Sequence, residues 1–157
     1  MYNPITTRVG VTATLLALLL PAAAALADGV ADQVTVIDPY VRAVPPVVGT
    51  TAAFMQLRSD AATEHFVVEA STPAAGAVEL HMHTMDGEVM RMRRVSHFHL
   101  PPGGKAVLQP GGEHIMLFDL VKPLTPGEQV PITLTFDDGS TKQVTAEVRR
   151  IEHTMQH

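Results

Sequence analysis

The chain has 157 residues, of which 46% are apolar, with two Tyr, five Phe and neither Trp nor Cys. That length suits one domain, and a formal charge of −5 argues against a nucleic-acid binder, which carries a basic surface over the phosphates. The absence of Cys excludes disulfide scaffolds, zinc fingers, thiol nucleophiles, iron–sulfur clusters and Cys-ligated blue copper.

Residues 1–27 read as an export signal. Met1 to Arg8 is short, polar and free of acid. Val9 to Leu20 is a mostly apolar run, followed by Pro21 and small residues ending at Ala25-Leu26-Ala27. These are the n-region, h-region and cleavage site of a secretory signal peptide. The run is shorter than the ~20 apolar residues a membrane-spanning helix requires, so no stable membrane insertion is expected. With no Cys there is no lipobox. The mature protein is expected to start at Asp28, in the periplasm.

From residue 28 onward the chain reads as short strands. Gln33 to Val41, Thr51 to Leu57, Glu64 to Ala70, Ala77 to Met82, Val89 to His99, Ala106 to Leu108, Glu113 to Leu120, Val130 to Phe136 and Gln143 to Arg149 alternate or are rich in β-branched residues. Turn residues separate them: Pro45-Pro46, Asp86-Gly87, Pro101-Pro102-Gly103-Gly104, Pro110-Gly111-Gly112 and Asp137-Asp138-Gly139-Ser140. No segment sustains a capped helical period. This pattern predicts an all-β fold, an antiparallel sandwich or barrel spanning residues 28–150 as one domain. Residues 151–157 read as a loose polar tail.

Histidine and methionine are unevenly placed. Between residues 81 and 116 stand five of the eight His (81, 83, 97, 99, 114) and five of the eight Met (82, 85, 90, 92, 116). Uniform scattering would put about four in that window. Imidazole suits copper and zinc, and thioether sulfur selects Cu(I). Zinc more often recruits Cys or carboxylate, and calcium and magnesium need oxygen ligands.

Strand period sorts these residues onto faces. His114 and Met116 share a face opposite Ile115 and Leu117. His81 and His83 share one opposite Met82, and Met90 and Met92 share one opposite the arginines. Met90 reads as core packing, His97 and His99 as solvated strand residues, and His65 as a surface residue. There is no Ser-His-Asp motif or acid pair for hydrolysis. A copper monooxygenase of the histidine-brace type needs His as the first mature residue, where Asp28 stands. The chain is therefore not expected to be an enzyme.

The spacing His81-x10-Met92-x21-His114-x-Met116 resembles that of the periplasmic copper chaperones of the PCu(A)C family. Flanking segments are similar too: Val78-Glu79-Leu80-His81, Val89-Met90-Arg91-Met92-Arg93, Pro110-Gly111-Gly112-Glu113-His114-Ile115-Met116-Leu117, Arg42-Ala43-Val44-Pro45-Pro46 and Leu134-Thr135-Phe136-Asp137-Asp138-Gly139. The likeness runs from about Val34 to Glu147, with Phe118-Asp119 standing where relatives often have Met-Gly. The resemblance implies a cupredoxin-like β-sandwich and Cu(I) ligands at His81, Met92, His114 and Met116. It also implies delivery of copper for the dinuclear copper centre of cytochrome c oxidase, with a Sco-type thiol protein or oxidase subunit II as acceptor. A periplasmic copper buffer with no dedicated acceptor would need the same ligands, as would a zinc buffer built on them. A metal-free interaction sandwich would use Met for packing alone. In the tail, His153, Met155 and His157 form a second donor set suited to Cu(II) or Cu(I).

Overall fold

The computed structural model describes residues 28–150. The signal-peptide reading of 1–27 and the tail donors His153, Met155 and His157 lie outside the described residues. A 3-10 turn, Val30–Gln33, precedes ten strands: β1 Val34–Arg42, β2 Thr51–Ser59, β3 His65–Ser71, β4 Ala75–Asp86, β5 Val89–Arg94, β6 Phe98–Leu100, β7 Lys105–Leu108, β8 Glu113–Leu120, β9 Gln129–Phe136 and β10 Thr141–Arg149.

The strands form one continuous sheet in the order β5-β4-β8-β7-β2-β1-β10-β9-β3-β6. The sheet folds on itself: β3 packs against β4, and β6 against β7. One core results, drawing on both halves of the sheet. Met55 and Leu57 of β2, Phe98 and Leu100 of β6, Ile115 and Leu117 of β8, and Ile132, Leu134 and Phe136 of β9 are all buried in it. Alternation along each strand produces this, because successive side chains leave on opposite faces; β9 buries every second residue, Val130, Ile132, Leu134 and Phe136.

The all-β expectation holds, with two refinements. Most pairings are antiparallel, but β1 runs parallel to β10 and β7 parallel to β8. The expected strand from Val89 to His99 is two strands. β5 pairs with β4 at one end of the sheet order and β6 with β3 at the other. The break falls at Val95-Ser96-His97, after the Val95 amide bonds the Leu80 carbonyl (2.8 Å). The alternation read for His97 to Leu100 survives the break, with Phe98 and Leu100 buried and His99 exposed.

β2 positions the site. Its first half, Thr51 to Ala53, pairs with β8, and its second half, Met55 to Arg58, pairs with β7. β8 is thereby held between β4 and β2, with β5 outside β4. Among the described residues no helix is long and apolar enough to cross a membrane.

Candidate metal centre

β8 divides its side chains sharply. Ile115 and Leu117 are fully buried in the core. His114 and Met116 leave from the opposite face, as the alternation predicts. Directly opposed residues in a sheet share a face, so the register extends this face outward. On β4, His81 stands opposite His114 and Glu79 opposite Met116. On β5, Met92 stands opposite His83 and Met90 opposite Met85. On β2, Ala52 stands opposite Met116, with Phe54 two residues on. One face of β5-β4-β8-β2 therefore carries His81, His83, Met92, His114 and Met116 together.

His114 is the buried centre of this set, only 2% exposed although it points away from the core. Phe54, His81 and His83 surround it, with ring centroids 6.2, 5.9 and 5.0 Å away. Its Nδ1–H donates to the Gly112 carbonyl (3.0 Å), and its Nε2 is buried with no hydrogen-bond partner. A backbone acceptor on Nδ1 fixes the tautomer and leaves Nε2 with a free lone pair, as in metal-ligating histidines. Burial pushes its pKa below the ordinary 6.5, and the neighbouring His83, His81 and Arg42 charges act in the same direction against the Gly112 bond. The ring is thus held neutral, the form that binds a metal.

His81 is tied differently. Its Nε2–H donates to Glu79 (2.8 Å), and Glu79 also meets Arg94 at 3.2 Å. The His81 bond, with help from Arg94, holds the Glu79 carboxyl below its usual range. The other nitrogen of His81, Nδ1, is buried and unpartnered, as is Nδ1 of His83. The His81 ring also lies 5.9 Å from the Phe118 ring, so Phe118 forms an aromatic wall beside it.

A cavity of about 190 Å³ opens at this face, walled by Phe54, His83, Met92, His114 and Met116. Arg42 closes one side, its guanidinium 5.4 Å from the Phe54 ring centre. Met92 is 46% exposed, so the mouth is open to a partner. Among the described residues no three His, Asp or Glu side chains are arranged to hold a metal by themselves. The donors that converge here are mixed, imidazole with thioether, which is the combination that favours a soft monovalent ion.

The structure brings the four sequence-predicted ligands, His81, Met92, His114 and Met116, onto one face. It corrects the reading of Met90, which is 57% exposed rather than core. Met90 lies on the last rungs of the β4–β5 hairpin, where every residue of β5 is exposed and no layer covers the strand. His65 is more than a surface residue: it contacts Asp137 (3.2 Å) and Thr63 (3.0 Å). His83 joins the four predicted ligands on that face, and its place is legible in the sequence. Counting outward from the Gly87-Glu88 turn puts it opposite Met92.

Known proteins share this sequence and architecture. The profile of the LpqE-like lipoprotein family matches residues 34–148. The chain belongs to the LpqE-like family. One relative, the lipoprotein Lxx21020 of Leifsonia xyli subsp. xyli, is 37% identical over 131 residues, covering 83% of this chain and 78% of that protein. The Cu(I) form of DR1885 from Deinococcus radiodurans is 37% identical, with a TM-score of 0.60 over 81% of this chain and 83% of that one. The copper-bound PCuAC domain of PmoF2 superposes with a TM-score of 0.66 at 20% identity, over 76% of this chain and 94% of that domain. The fold of this LpqE-like chain is thus that of a PCuAC domain, as the sequence resemblance implies.

Proposed function

We propose that this chain is an exported Cu(I) metallochaperone, binding one cuprous ion through His81, Met92, His114 and Met116. The observation that carries the reading is the cavity mouth itself, where unpartnered imidazole nitrogens and thioethers share one face with no competing carboxylate cage. A relative of 37% identity whose solved form is described as CuI-DR1885 supports it. The lipoprotein description of the family supports export, and the proposed compartment is the periplasm.

Two imidazoles and two thioethers are neutral, so the bound ion keeps its single positive charge. Thioethers do not titrate, whereas each imidazole must be deprotonated to bind. A thiolate acceptor binds Cu(I) more strongly than thioether does, which makes transfer to a Cys-bearing partner downhill. Exchange starts at Met92, the exposed ligand. The proposed destination is the dinuclear copper centre of cytochrome c oxidase, through a Sco-type thiol protein or oxidase subunit II.

Anaerobic titration with Cu(I) against a chromophoric chelator tests the binding. One tight Cu(I) per chain is expected, and Met92→Ala is expected to weaken it at least tenfold, about 1.4 kcal/mol. A Met92→Ala protein that binds like the wild type rejects the site. Mixing the Cu(I) form with a reduced dithiol acceptor then tests delivery. Retention of copper by the LpqE-like chain would support the buffer reading instead.

A further inference from the structure

We infer that His83 is a copper ligand of this chain, forming with Met92 and His114 a second position that overlaps the first and shares two of its donors. The inference rests on the Cu(I) reading above and adds a residue to it.

Three features of place support it. His83 stands directly opposite Met92 on the β4–β5 ladder, where facing Cβ atoms lie ~4.5–5.5 Å apart, whereas His81 is diagonal to Met92, a spacing of ~7–8 Å. The His83 ring stacks on His114 at 5.0 Å, closer than the 5.9 Å between the His81 and His114 rings. His83 also walls the cavity that Met92, His114 and Met116 line, while His81 is held aside by Glu79 and Phe118. A free lone pair does not choose between the two, since each has a buried, unpartnered ring nitrogen; position does. His81 is the better neighbour of Met116, being diagonal to it in the β4–β8 register. His83 is the better neighbour of Met92.

The two sets therefore divide the work. His81 and Met116, with the shared Met92 and His114, hold the ion at the β8 side. His83 with Met92 and His114 holds it nearer the exposed hairpin, from which an acceptor takes it. Passage between them replaces His81 by His83 and releases Met116 while Met92 and His114 stay bound. No electron or proton is transferred, because every donor is neutral and the ion remains Cu(I).

Cu(I) affinity in wild type, His81→Ala, His83→Ala and the double variant tests this, with melting curves to confirm folding. His81→Ala is expected to retain one Cu(I) per chain, weakened by less than about tenfold, because His83 takes over. Adding His83→Ala to it is expected to cost at least a further tenfold, and His83→Met in that background to restore binding through a soft donor. On addition of Cu(I) to the ¹⁵N-histidine-labelled wild type, one ring nitrogen of His83 is expected to shift along with Nε2 of His114. An unmoved His83 signal, or no further loss in the double variant, overturns the inference while leaving the four-ligand site standing. Failure of the wild type to bind Cu(I) rejects the proposed function itself.

Discussion

Asp119 shows how one residue records a backbone demand. It follows Phe118 near the end of β8 and has φ +53. L-residues reach this left-handed region at a cost, Asp and Asn least of the non-glycine types, and Gly without one. The demand is set by the angle and is not visible in the sequence, where Asp119 reads as one more strand residue. Gly76 on β4 lies against the same residue, where an added Cβ would approach the Asp119 Cβ to 3.1 Å, so the two strands are close at this point. Asp119→Gly is expected to stabilise the apo protein by about 0.5–1 kcal/mol. Thermal melting checks it; an unchanged or lower midpoint shows that the aspartate side chain offsets its own strain.

The strands carry the partition between core and site. β8 sends Ile115 and Leu117 inward and His114 and Met116 outward, so the core and the proposed metal face are separable on a single element. Leu117→Ala removes a fully buried side chain and is expected to cost about 2–5 kcal/mol. Met90→Thr, on the exposed edge strand β5, is expected to stay within about 0.5 kcal/mol of wild type. Denaturant unfolding of the two variants checks both, and a large loss for Met90→Thr would mean that β5 packs against something in solution. The period-2 pattern made this much legible in advance, because it depends only on neighbours in sequence. β8 was readable from Glu113 to Leu120 without error. The order of strands was not, because it depends on which chain segments meet. Nothing local to Val95-Ser96-His97 shows that β5 and β6 end up at opposite ends of the sheet order. Met90 reads as core for the same reason: an apolar residue in a strand looks like core until the layer expected to cover it is found to be missing. The four proposed ligands are legible because their spacing resembles a known pattern. His83 needed the hairpin register.

At the scale of the molecule, closure depends on the Asp137-Asp138-Gly139-Ser140 turn, which belongs to the β9–β10–β3 half of the sheet and not to the β5–β4–β8 half that holds the site. Asp138 accepts the Val30 amide (2.8 Å) and the Ser140 amide (2.9 Å), while the Ser140 hydroxyl accepts the Ala31 amide (2.9 Å). Asp137 accepts the Phe66 amide at the start of β3 (3.1 Å). One turn thus fastens the first segment of the domain and β3 onto its last hairpin, where β1 joins β10 in parallel. Burial pushes the Asp138 carboxyl up, but the Ser140 hydroxyl and the Val30 and Ser140 amides outweigh it and hold it below the ordinary 3.8. A depressed folded value fixes the sign: the stabilisation is complete above the unfolded value and is lost as pH falls through the folded one. Asp138→Asn keeps the shape and removes the charge, so it is expected to lower stability by about 1 kcal/mol near neutral pH, the difference between a charged and a neutral acceptor. The gap in melting temperature between variant and wild type is expected to narrow below pH 3.8 and to close once the wild-type carboxyl is protonated. Cu(I) affinity at neutral pH is expected to be unchanged, since the turn shares no residue with the donor face. A gap that persists in acid would show that the asparagine disturbs the turn's geometry and not its charge. Weakened copper binding would show that the two halves of the sheet are coupled.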